Sequence, residues 1–208
     1  MLGLNVTHPL KSLVAKILGC EGKSINTLYR GETGWKATST DGIGFAKAMK
    51  HQKIDFRALK DVVIIGGGGV VPALLTCFLE QTNIHVLTRR SFDSNCLNLQ
   101  SSVINHKLSA KVLESLITDK KTDTLLIHAS SAPLFGDPLD YLCPAMKNFH
   151  GYFIDLNYSH HCALYNQASL QSLSYQDGLI MLIEQARASQ MLWFNRTCDF
   201  QDMYHYLA

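Results

Sequence analysis

No run of basic residues in this 208-residue sequence is longer than a pair, and the formal net charge is only +2. That excludes the multi-phosphate electrostatic footprint on which nucleic-acid binding rests. C-x-x-C pairs are also missing. The six cysteines, Cys20, Cys77, Cys96, Cys143, Cys162 and Cys198, are scattered without metal-ligand spacing, so they read as buried thiols of a reducing cytosol. His160-His161-Cys162 lies on an extended segment where neighbours point to opposite sides, so loop histidines are expected and no metal is assigned. Residues 1–5 (MLGLN) have neither a basic start nor a long apolar core, so no signal peptide is read there. Internal repeats, low-complexity segments and long linkers are lacking. One uncharged stretch, residues 62–79, is long enough to resemble a membrane span, but it holds four consecutive glycines and Pro72. In a helix, glycine costs ~1 kcal/mol and interior proline ~3 kcal/mol relative to alanine. A soluble, cytoplasmic chain without a membrane partner is therefore expected.

What is present begins with a hydrophobic fraction of 47%, enough to build a sizeable core in one domain or two small ones. The most informative segment runs from Asp61 through Val62-Val63-Ile64-Ile65 and the glycines Gly66, Gly67, Gly68 and Gly69 into Val70-Val71-Pro72-Ala73-Leu74-Leu75. A buried strand that passes through glycines into a helix is how a dinucleotide pyrophosphate site is built, because the backbone turns sharply and approaches the diphosphate. Val71 takes the place of the third glycine in the usual spacing, which predicts looser packing of helix on strand. The next strand, Ile84 to Thr88, has no acid at its end. Arg89 and Arg90 stand where a ribose-binding carboxylate would be. A guanidinium suits a 2′-phosphate, so the pattern favours NADP over NAD.

Along the chain, residues 3–7 form a strand candidate, and Pro9 precedes Leu10, Leu13, Val14 and Ile17 at helical spacing. Lys11 falls off that stripe, toward a cleft or solvent. Asn26 lies in a second strand-like segment, residues 24–28. A helix from about Ile43 to Met49 takes Asp41 or Thr40 as its N-cap. Further strands are expected at residues 124–128 and 151–156, and a last helix at residues 177–193 with Leu179, Leu182, Ile183, Ala186 and Trp193 on one face and Gln185 at its border. Strands alternating with helices predict a parallel, helix-covered sheet.

Seven elements, in order, resemble the shikimate/quinate dehydrogenase family. Residues 5–11 (NVTHPLK) resemble N-V-T-x-P-x-K, residues 25–28 (INTL) resemble V-N-T-L, and residues 40–45 (TDGIGF) match T-D-G-x-G-F. Residues 66–69 fit the glycine loop and residues 88–90 (TRR) the N-R-T loop. Residues 155–158 (DLNY) resemble D-x-x-Y, and residues 178–186 resemble G-L-x-M-L-x-x-Q-A, with Ser189 and Trp193 also in place. The resemblance implies an α/β protein: a Rossmann-like parallel nucleotide-binding sheet at residues 50–176, and an α/β substrate-binding domain represented by residues 1–49 with helix 177–194 returning to it within a C-terminal segment, 177–208. It implies NADPH-dependent, reversible reduction of 3-dehydroshikimate to shikimate in aromatic amino acid biosynthesis. Lys11 and Asp41 are implied as the catalytic pair, since the alkoxide formed by hydride transfer must be stabilised and protonated. Asn26, Gln185, Thr7 and Tyr158 are implied at the substrate. Gly66, Gly67, Gly68, Gly69, Val70, Thr88, Arg89, Arg90, Ser130 and Gly178 are implied at the cofactor.

Several positions depart from the family pattern. No Ser-x-Ser lies upstream of Lys11, so the substrate domain is expected to be incomplete, with an apolar edge uncovered and the usual carboxylate anchor absent. Residues 128–131 (HASS) stand where N-A-T-S is usual, and Ser39 replaces the asparagine before T-D-G. Quinate as substrate, a homodimer, and a non-catalytic nucleotide-binding subunit that completes its fold against a partner chain are alternatives compatible with the same residues.

Overall fold

A computed structural model describes residues 2–7, 9–19, 24–89, 102–118, 123–159 and 161–208. The chain opens with a small antiparallel sheet of β1 (Gly3–Asn5), β2 (Thr27–Gly31) and β3 (Gly34–Thr38), with helix α1 (Lys11–Ile17) between the first two strands. Helix α2 (Asp41–His51) then leads into the larger sheet. That sheet has six strands, all parallel: β4 (Asp61–Ile65), β5 (Asn83–Thr88), β6 (Val103–Lys107), β7 (Thr124–His128), β8 (Tyr152–Asp155) and β9 (Ser174–Gln176), in the order β6-β5-β4-β7-β8-β9. Helices α3 (Val71–Leu75), α4 (Ala110–Ile117), α5 (Ala163–Leu170), α6 (Leu179–Phe194) and α7 (Phe200–Leu207) complete the described α-helices, and short 3-10 turns lie at Phe56–Ala58, Ala132–Phe135 and Asp140–Met146.

The central strands are apolar without alternation because both faces of the sheet are covered. Val62 and Ile64 of β4 join Leu125 and Ile127 of β7 in one core with Phe45 and Met49 of α2, Leu74 of α3 and Met181 of α6. The intervening Val63, Ile65 and Leu126 face the opposite core with Leu113 of α4, Phe149, Phe153 and Leu164 of α5. The sheet is thus wound from its middle. The strand order reverses between β4 and β7, and the crevice beyond their C-terminal ends is where open α/β sheets bind ligands.

Two expectations change. Helix α1 forms, but Leu10, Leu13 and Ile17 are 53%, 53% and 72% exposed, while Ala15 is buried. In α6 the buried residues are Met181, Ile183, Glu184 and Ser189, so of the expected apolar face only Ile183 is fully buried, and the inner face carries a carboxylate as well. Helix α3 has only five residues, with Pro72 in its first turn and the Thr76 hydroxyl donating to the Ala73 carbonyl at 2.8 Å just past its end. Val71 is buried in the core.

Candidate active site at the sheet crevice

Gly66 shows why the loop after β4 is glycine. Its φ is +114°, and a Cβ there would lie 2.8 Å from the Ala129 carbonyl carbon and the Ser130 nitrogen, so both conformation and space exclude a side chain. The β4 loop therefore lies directly on the segment that leaves β7. Beside this junction are two adjoining hollows. A groove of about 700 Å³ is lined by Gly66, Gly67, Gly68, Thr88, Arg89 and Ser130 among others. A cavity of about 280 Å³ is lined by Thr7, Lys11, Asp41, Gly68, Gly69, Val70, Ser130, Tyr158, Gly178 and Gln185 among others. Gly68, Ser130 and Ser131 belong to both walls. Arg90 lies outside the described residues. Arg89 is at the groove rim, where its guanidinium reaches Asp137 at 3.2 Å. Gly178 packs against the Leu156 carbonyl so closely that a Cβ would overlap it.

Lys11 opens α1 and Asp41 opens α2, 30 residues apart in sequence, yet Lys11 Nζ lies 2.6 Å from Asp41 Oδ2. Their side chains are 19% and 4% exposed. Thr40 holds the N-cap position of α2 without a capping hydrogen bond from its side chain. Its backbone N–H donates instead to Asn26 Oδ1 at 2.8 Å. Asn26 is itself 2% exposed and lines neither hollow. Its amide nitrogen donates to Asp41 Oδ1 at 2.7 Å and to Gln185 Oε1 at 2.6 Å. A buried amide has two protons, and both are directed to residues on the cavity wall. Ser24 adds a hydrogen bond to Asp41 Oδ2 at 3.1 Å. The Ser189 hydroxyl, 2.9 Å from Thr27 Oγ1, ties α6 to the small sheet, and Asn5 donates to both at 3.0 Å. A cation and a carboxylate in this arrangement can stabilise and protonate an oxyanion while the carboxylate accepts from a substrate hydroxyl.

A second polar set went unread in the sequence. The register of β7 on β8 sets His128 opposite Asp155, and both side chains are fully buried. His128 Nδ1 lies 2.8 Å from Asp155 Oδ1, and His128 Nε2 lies 2.7 Å from Ser130 Oγ. Asp155 also accepts from the Cys162 backbone N–H at 2.8 Å and from the Asn157 backbone and side-chain N–H groups at 3.0 Å. Burial pushes this carboxyl up, but the His128 hydrogen bond and charge, with the backbone donors, hold it below the usual carboxylate range. The ligand atoms of His128, Asp155 and Cys162 lie within 4.8 Å of one another. Burial, followed by the Asp155 charge, raises the Cys162 thiol well above its ordinary value, so this atom is a protonated neighbour of the pair. The signal that would have revealed the pair is register: both residues end adjacent parallel strands.

Among the described residues, no helix is long and apolar enough to cross a membrane. No family model matches the chain. Individual curated proteins do. A shikimate dehydrogenase (NADP(+)) of Crocosphaera subtropica is 29% identical over 221 residues, covering 94% of this chain and 73% of that protein. Among solved structures, shikimate 5-dehydrogenase from Listeria monocytogenes in complex with shikimate and NAD superposes with a TM-score of 0.79 at 16% identity, covering 100% of this chain and 78% of that one. Shikimate dehydrogenase 1 from Peptoclostridium difficile gives 0.74 at 25% identity with the same coverage. A shikimate dehydrogenase (NADP(+)) of Dictyoglomus turgidum is 30% identical over 215 residues, 97% of this chain and 75% of its own length, and with the Rossmann-like sheet and the crevice already described this shows that the chain belongs to the shikimate dehydrogenase family.

Proposed function

We propose that the protein is an NADPH-dependent oxidoreductase of the cytoplasm that interconverts 3-dehydroshikimate and shikimate. The observation that carries this reading is the Lys11–Asp41 pair at 2.6 Å on the wall of a cavity that shares Gly68 and Ser130 with the glycine-lined groove. The groove fits a dinucleotide: Gly66, Gly67 and Gly68 line it without side chains, and Arg89 stands at its rim with a side chain 63% exposed. The cofactor, when bound, supplies hydride to the ketone carbon. Lys11 holds the ketone oxygen and donates an Nζ proton as that oxygen gains charge, and in the reverse direction it takes the proton back. Asp41 orients the ammonium and accepts from a neighbouring ring hydroxyl. Gln185 presents its amide to the same ring, and Tyr158 closes the outer wall. Asn26 is a positioning residue, because its amide protons fix Asp41 and Gln185.

The test is reduction of 3-dehydroshikimate by the purified chain, followed as loss of NADPH absorbance, with quinate and NAD as competing choices in the oxidative direction. Lys11→Ala is expected to lower kcat by about 10²- to 10⁴-fold, the usual range for loss of a positioned acid–base group, with NADPH binding retained. Unchanged turnover in that variant would overturn the role given to Lys11.

A further inference from the structure

Beyond the reduction proposed above, we propose that Ser130, His128 and Asp155 form a second catalytic centre, a nucleophilic hydroxyl with a buried base and a buried orienting carboxylate, which hydrolyses short acyl esters entering the cavity beside Lys11. The distances are those such a centre requires, 2.7 Å from hydroxyl to imidazole and 2.8 Å from imidazole to carboxylate. The roles are fixed by chemistry. The Asp155 carboxylate accepts only, so His128 Nδ1 donates to it, and Nε2 is the nitrogen that faces Ser130 Oγ and would take its proton. The Ala132 backbone N–H donates to Ser130 Oγ at 3.4 Å, which occupies a lone pair of that oxygen and leaves its own proton to point at Nε2.

Placement supports the same assignment. His128 and Asp155 end paired strands, so the sheet itself holds base and carboxylate in register, and rigid elements position a site better than loops do. Neither side chain is accessible to solvent. Ser130 lies two residues past the base, where the chain leaves the sheet, and it is partly exposed on the wall of both hollows. Asn157 steadies this exit through its side-chain N–H groups, reaching the Ser130 carbonyl at 3.3 Å and Asp155 at 3.0 Å. The imidazole, set between a carboxylate and a hydroxyl, is not among the groups assigned above to the hydride chemistry of Lys11.

The cavity sets the substrate class. Its volume of about 280 Å³ and the Val70, Leu156, Met181 and Leu182 side chains on its wall suit a small acyl group. In the acylation step Ser130 Oγ bonds to the ester carbonyl carbon while its proton passes to His128 Nε2. Collapse breaks the bond to the leaving alkoxide, which takes that proton. Water then repeats the sequence, releasing a carboxylic acid and restoring Ser130. Gly68 and Gly69 line the same cavity without side chains, and in this proposal their backbone N–H groups face the oxyanion.

The experiment uses the full chain and no nucleotide, so its outcome is independent of the dehydrogenase reading. A fluorophosphonate probe is reacted with the protein and the modified peptide is mapped, alongside hydrolysis of p-nitrophenyl acetate. Labelling confined to Ser130 is expected, abolished in Ser130→Ala and slowed at least 100-fold in His128→Asn, whose amide keeps a hydrogen bond to Asp155 but is no base. Absence of label on Ser130 in the unsubstituted, folded chain overturns the proposal. So does labelling of His128→Asn at the unsubstituted rate. Mapping on the unsubstituted chain decides the question even if a variant fails to fold.

Discussion

At the scale of single residues, Asn26 and Arg89 show how differently two polar side chains of one site can act. Asn26 is buried, and its carbonyl oxygen accepts from the Thr40 N–H while its amide serves Asp41 and Gln185. Asn26→Ala leaves those partners without a counterpart in a space closed to bulk water, at a cost of about 2 to 3 kcal/mol. Thermal unfolding is expected roughly 5 to 10 °C lower, with kcat reduced because Asp41 is no longer fixed. A fall in stability without loss of kcat would separate Asn26 from the catalytic geometry. Arg89 sits instead in solvent, paired with Asp137. An exposed ion pair of this kind is worth about 0 to 1 kcal/mol, so exchanging Asp137 for a 2′-phosphate costs little. Arg89→Ala is expected to raise KM for NADP about tenfold and leave KM for NAD nearly unchanged. Equal effects on both would assign Arg89 to the shared pyrophosphate region.

Elements were legible in the sequence where local chemistry and packing demand agree. The glycines after β4, the apolar strands at 61–65, 84–88 and 124–128 and the helix after Asp41 answer to rules that act within a few residues. Periodicity misled in α1, because Leu10, Leu13 and Ile17 share a face whether or not anything lies against it. In α6 a carboxylate on the buried face was invisible to a hydrophobic pattern: Glu184 is buried only because Lys47, His51 and Arg187 surround it. The edge strands β6 and β9 are short and largely polar, so they carry no apolar run to betray them. The motifs placed Lys11, Asp41 and Gln185 at one site, but the burial of Asn26 and the His128–Asp155 pair depend on register between strands, which no short motif encodes. Gly66 is the element junction at which both kinds of information meet. Gly66→Ala is expected to cost about 2 kcal/mol or more, since a positive φ and a contact with the β7 exit are strained together. Weaker NADPH binding in calorimetry should accompany the lower unfolding midpoint; a neutral substitution would mean the loop relaxes freely.

Two of the buried carboxylates, Glu184 and Asp155, make the whole molecule sensitive to acid. Glu184 fastens α6 to α2, with Lys47 at 2.9 Å and His51 at 3.2 Å from α2 and Arg187 at 2.9 Å from its own helix. Burial pushes its carboxyl up, but hydrogen bonds from Lys47 and His51 and the Lys47 and Arg187 charges outweigh that and hold it below the ordinary value. Asp155, on the far side of the parallel sheet's centre, is lowered in the same sense by His128. A carboxyl with a depressed pKa in the folded state binds its proton more readily once unfolded, so its stabilisation is present above the unfolded value of about 4 and is lost as pH falls through the folded one. The unfolding midpoint is therefore expected to be insensitive to these groups near neutrality and to drop below about pH 4.5. Glu184→Gln removes the charge but keeps the shape. It should lower stability at pH 7 by about 1 to 2 kcal/mol, discounted from a fully buried pair because Lys47 is 44% exposed. It should also flatten the acid limb, since one of the two titrating groups is gone. Thermal unfolding between pH 3 and 7 checks both halves. An acid limb equally steep in the variant would place the sensitivity at Asp155 and the end of β8, and would mean that α2 and α6 stay together through apolar contact alone.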